Sequence, residues 1–120
     1  MNGNKPRIRP KTVPGNTHCI MTGCGKLYVT VDKDEHGFLE VFAHLGKSGQ
    51  CGAAQTEALC RAVSIGLRSE VDVKAYIKQL SGIRCPSPGM DGEDLVLSCA
   101  DGIAKALQVE VNSDKPQRNV

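Results

Sequence analysis

"LYVTVDKDEHGFLEVFAHLGKSGQCGAAQTEALCRAVSIGL", residues 27–67, changes its repeat along its length and thereby decides the fold. In "GFLEVFAHLG", residues 37–46, apolar and polar positions alternate, so Leu39, Val41, Ala43 and Leu45 share one face of a strand. Before it stand two short β-rich runs, "HCIMT" and "KLYVTVD", and the segments "TGCGK" and "DKDEHG" supply the turns between runs. The expectation is a three-stranded antiparallel meander. From Ala53 to Arg68 the spacing becomes helical, with Leu59, Ala62, Val63, Gly66 and Leu67 on one stripe. A second helix is expected from about Asp72 to Leu80, stopped by Ser81 and Gly82. The prolines and glycines of "RCPSPGMDGEDLV", residues 84–96, read as a loop. A last helix opens at "SCADGIAKAL", where Ser98 caps and Asp101 takes the capping-box position. The sum is a small α+β domain, a three-stranded meander followed by three helices packed on one face of the sheet.

Composition narrows the chemistry. A chain of 120 residues with two Tyr, two Phe and no Trp holds one domain with a modest core. The apolar runs are too short to span a membrane, and the polar start "MNGNKPRIRP" has no signal-peptide character, so a cytoplasmic location is expected. The net charge of +2 comes partly from Lys5, Arg7, Arg9 and Lys11, interleaved with Pro6, Pro10 and Pro14. Residues 1–16 therefore read as an extended basic arm, a solvated tail or linker, residues 17–109 as the folded domain and residues 110–120 as a polar tail. No aromatic is interleaved with the arm's charges, which argues against nucleic acid as a partner.

In a reducing compartment six cysteines read as metal ligands, catalytic thiols or buried fillers before disulfides. Cys24, Cys51, Cys85 and Cys99 all fall at turns or helix ends, where helix N-termini stabilise thiolates. Cys19, inside a strand, and Cys60, inside a helix, read as small buried hydrophobes. A closed structural zinc site needs four ligands, and the loop cysteines number four, although no C-x-x-C pair marks them. "GKSG", residues 46–49, is too short for a phosphate-binding Walker loop. His44 is the histidine nearest the Cys51 loop, and "DKDEHG" reads as a solvated turn whose carboxylates have no obvious cation. No nucleophile and base stand at a recognisable spacing, so no catalytic residue is expected.

The order of these motifs resembles a known family. "TGCGKLYVTV", "GKSG", "GIRCP" and "SCxD", with the "RIRP" lead-in, look like the TSCPD domain, the C-terminal region of adenosylcobalamin-dependent, class II ribonucleotide reductases, over about residues 7–108. The eponymous motif is matched imperfectly, with Leu97 in place of Thr and Ala100 in place of Pro. The resemblance implies zinc held by Cys24, Cys51, Cys85 and Cys99. It also implies an accessory domain without the large barrel that carries the cobalamin site, nucleotide sites and radical cysteine of the reductases. Such a domain would bind or regulate the reductase large subunit or its nucleotides. A ligand on the Tyr28 and Phe42 side of the sheet is left open. A fainter similarity links Cys24, Cys51 and Cys99 to the three-cysteine layout of U-type iron–sulfur cluster scaffolds, which makes an iron–sulfur cluster the alternative cofactor and a cluster carrier the alternative function. A thiol shuttle is a weaker option, because neither tail carries a cysteine.

Overall fold

The alternating half of the sequence forms three strands, β1 (Gly15–Thr22), β2 (Gly25–Asp34) and β3 (Gly37–Leu45), in the order β1-β2-β3 and antiparallel throughout. This computed structural model describes residues 5–46 and 50–113, without the side chains of Gln50 and Cys51. One face of the sheet is apolar. Ile20, Leu27, Val29, Val31, Val41 and Leu45 are buried there, as the two-residue repeat requires, whereas Leu39 is buried at a register shift outside this cluster, a correction to the expected face. The helices follow as α1 (Gln50–Arg68), α2 (Val73–Leu80) and α3 (Cys99–Ser113), and they cover that same face. The expected α+β meander with three helices is the observed architecture.

Each helix is set by local chemistry. Asp72 caps α2 by accepting from Lys74 N–H, and the N–H of Ser81 closes the helix on the carbonyl of Ile77. Ser98 Oγ accepts from Asp101 N–H at 3.0 Å and opens α3 as expected. The Asp101 carboxylate accepts from Leu97 N–H at 2.9 Å and from Gly82 N–H at 3.0 Å, tying the end of α2 to the start of α3. The buried line of α1 is Thr56, Cys60, Val63, Ser64 and Leu67, whereas Ala62 is exposed, so the stripe is rotated from the sequence expectation. The rotation has a physical cause in the position of α1 beside the edge strand β3. Ser64 Oγ accepts from Val41 N–H at 2.9 Å and donates to Val41 C=O at 3.1 Å, closing an otherwise open sheet edge.

Several expectations are corrected. The span 84–96 is not all loop, because Gly89–Asp91 (β4) pairs with Asp94–Val96 (β5) in a small hairpin. Helix α3 runs through residue 109 to Ser113, with Glu110 buried against Asn16, His18 and Lys33. Cys19 is exposed rather than buried, because its neighbour Ile20 takes the inward position on β1. Cys60 is buried as expected, and burial pushes its thiol up to about 12. The basic segment is no free arm. Arg7 N–H donates to the Arg68 carbonyl at 2.8 Å, its guanidinium bonds Asp34 and the Phe38 carbonyl, each at 3.1 Å, and Arg9 Nε reaches both Glu40 oxygens at 2.9 Å. Asp34, expected in a turn without a cation, thus has one.

Candidate functional site

Cys24, Cys85 and Cys99 are neighbours at one end of the sheet. Cys24 sits in the two-residue turn joining β1 to β2, where its N–H donates to Thr22 Oγ1 at 3.1 Å. That turn presses on the segment after Cys85. A Cβ at Gly23 would lie 1.7 Å from the Ser87 carbonyl oxygen, and one at Gly89 would lie 2.4 Å from the Gly23 nitrogen. Glycine at both positions is what allows the two backbones to touch. Cys85 is held by its own N–H donating to the Leu97 carbonyl at 2.9 Å, and its sulfur accepts from Ser87 N–H at 3.3 Å. Leu97 immediately precedes the Ser98 cap, so the same short stretch positions Cys85 and Cys99.

Cys99 is the first residue of α3 and is partly buried. Burial raises its thiol above the ordinary cysteine range, and the neighbouring Cys24 and Cys85 raise it further, because negative charge on one sulfur opposes charge on the next. A hydrogen bond with Thr22 works in the opposite direction. Three of the four predicted ligands are therefore electrostatic neighbours, although more than half of the chain separates Cys24 from Cys85.

Cys51 lies in the first turn of α1, and its side chain is outside the described residues. Its backbone is at the same end. Gly46 N–H donates to the Lys26 carbonyl at 2.9 Å, and a Cβ at Gly52 would lie 3.6 Å from Leu45 Cδ1. The starts of α1 and α3 thus both lie at this end of the sheet. Among the described residues no group of three or more His, Cys, Asp or Glu side chains is arranged to hold a metal ion. The chemistry of the donor set nonetheless fits a thiophilic cation. Clustered sulfurs that repel one another when ionised are relieved by a positive charge between them, and three soft donors suit zinc or an iron–sulfur cluster.

The other residues singled out from the sequence stand elsewhere. His44 is exposed beside Tyr28 on the outer face of the sheet, away from the helices. The expectation for "GKSG" falls on Lys47, Ser48 and Gly49, outside the described residues. Sequence reasoning missed Asp32 and Glu40, paired across β2 and β3 and both buried on the outer face beneath Arg9. Their hydrogen bond and mutual repulsion, with burial as the largest cause, push Asp32 up to about 7. Glu40 stands where the alternation puts an outward polar residue, so the pattern carried no signal of its burial.

A family model described as the TSCPD domain matches residues 4–111. Vitamin B12-dependent ribonucleotide reductase from Streptomyces clavuligerus is 30% identical over 105 residues, covering 84% of this chain and 11% of that protein. The protein of the same name from Streptomyces avermitilis is 32% identical over the same length and the same shares. That from Streptantibioticus cattleyicolor is 30% identical, with 18% of its length covered. The chain thus spans well under a quarter of these relatives. No solved structure matches it significantly.

Proposed function

From the premise that this chain belongs to the TSCPD domain family, we propose that it is a zinc-stabilised accessory domain that binds or regulates a B12-dependent ribonucleotide reductase, or its nucleotides, in the cytoplasm. The convergence of Cys24, Cys85 and Cys99 at the end where α1 brings Cys51 carries the reading. In this reading the chain acts through binding. Its place beside a reductase rests on the relatives it resembles. No helix among the described residues is long and apolar enough to cross a membrane.

Zinc would be held by the four thiolates, supplying a cross-link between the β1–β2 turn, the loop before β4 and the two helix starts. Apparent binding free energies of roughly 10–16 kcal/mol for structural zinc rival the whole stability of an ordinary domain. Metal analysis and visible absorption of anaerobically purified protein test the reading. The expected result is one equivalent of zinc without colour, lost when Cys24, Cys51, Cys85 or Cys99 is replaced by Ser and retained in Cys19→Ser and Cys60→Ser. Loss of metal on Cys60→Ser with retention in Cys85→Ser would refute the ligand set. A coloured, transferable cluster that tolerates Cys85→Ser would instead establish the cluster-carrier alternative.

A further inference from the structure

A second concave surface lies along the flank of α1, apart from the thiols. Between α1 and β3 runs a groove of about 490 Å³, within the roughly 300–1,000 Å³ of small-molecule sites. Its apolar lining includes Phe42 from β3 and Ile65 from α1, which are 50% and 49% exposed. In a chain with two Phe, an aromatic ring left half in water beside a groove is an unused stacking surface.

The charges of the lining define what can stack there. Glu40 is taken up within the wall, with Arg9 on both its oxygens at 2.9 Å and Arg68 at 3.9 Å. Ser64 is committed to the Val41 backbone. Arg61 is paired with Glu57 one turn earlier, but both side chains are exposed, and such pairs hold weakly. A phosphate can displace Glu57 and take the guanidinium fork. An apolar aromatic wall beside a displaceable guanidinium matches a planar base joined to phosphate.

We infer that this groove binds a nucleotide, the base against Phe42 and Ile65 and the phosphates on Arg61. The inference rests on the nucleotide half of the function proposed above and is independent of the thiol site. Titration of the full chain with ATP, GTP, CTP and UTP, followed by amide chemical shifts, tests it. At least one nucleotide is expected to shift resonances around Phe42, Arg61 and Ile65. Phe42→Ala and Arg61→Ala should each weaken that binding about tenfold without changing the melting temperature. Tyr28→Ala, on the same sheet face but outside the groove, should bind as the parent does. Adenosine and tripolyphosphate used separately should each bind more weakly than ATP. Absence of shifts with all four nucleotides, or binding indifferent to both groove substitutions, overturns the inference. A ten-residue thymidine strand that binds more tightly than any mononucleotide overturns it in favour of single-stranded nucleic acid. Metal content separates the two readings: groove variants that lose nucleotide but keep metal leave the thiol site standing, and parent protein that binds nucleotide in the groove but carries no metal removes the thiol reading alone.

Discussion

Asp32 and Glu40 face each other across β2 and β3 with 6% and 2% exposure, and two buried carboxyls sharing one site cannot both ionise cheaply. Asp32 takes the proton. In the unfolded chain it releases that proton near its ordinary 3.8, whereas in the fold it keeps it to about 7, so its contribution to stability is full at acid pH and declines between these values. Glu40, Asp34 and Glu110 are shifted downward despite burial, because Asp32 and Arg9, His36 N–H and Arg7, and Lys33, His18 and Asn16 respectively bond their charged forms. Their contribution has the opposite sign, present above the ordinary carboxylate range and lost as pH falls through it. Asp32→Asn should therefore raise the melting temperature at pH 7.5 and remove the decline above pH about 4, with little change at lower pH. Parallel stability–pH curves for parent and variant would show that Asp32 is ionised in the fold. None of this pairing was legible in the sequence, where "DKDEHG" reads as a solvated turn: the partners Arg7, Arg9 and Glu40 are distant in the chain, and local pattern carries no such information. The loop thiols were legible because glycine and proline neighbours mark turns whatever the tertiary fold.

Strand periodicity placed β1, β2 and β3 within a few residues, since a buried face imposes its repeat directly on the sequence. The hairpin β4–β5 escaped because its strands are three residues each and expose Met90 and Leu95, leaving no alternation to read. The stripe of α1 was misjudged for a different reason. Thr56, Cys60 and Ser64 are polar or small, yet they are buried, and the Ser64 hydroxyl is bonded to the edge of β3, where a methyl could not replace it. Ser64→Ala should leave Val41 N–H and C=O without their partner and cost about 1–3 kcal/mol in chemical denaturation, while Ala62→Ser, one turn face away and exposed, should change stability by no more than about 0.5 kcal/mol. Val41→Asp would bury an unpaired charge at a fully buried site and should unfold the domain. A folded Val41→Asp protein, or an unchanged Ser64→Ala midpoint, would mean that α1 does not seal this edge.

For the molecule as a whole, the segment from Arg7 to Arg9 straps the sheet end where α1 finishes, while the thiols occupy the other end, where α1 begins. A salt-sensitive contact with a reductase through the basic segment must therefore use Lys5 and Lys11, because Arg7 and Arg9 are engaged within the domain. The 120-residue chain with adenosylcobalamin and a dithiol should show no ribonucleotide reduction, and its association with a B12-dependent reductase should weaken with salt in proportion to Lys5 and Lys11. Reduction by the chain alone, or binding insensitive to both lysines, would contradict this. The contact of Gly23 with Ser87 also orders events in time. It joins segments separated by more than half of the chain, so the entropy of closing that loop is met only after the meander and α1 have formed their nearer contacts. During synthesis, Cys24 and Cys51 emerge long before Cys85 and Cys99. Cys24, Cys85 and Cys99 therefore become neighbours only once the last helix is in place.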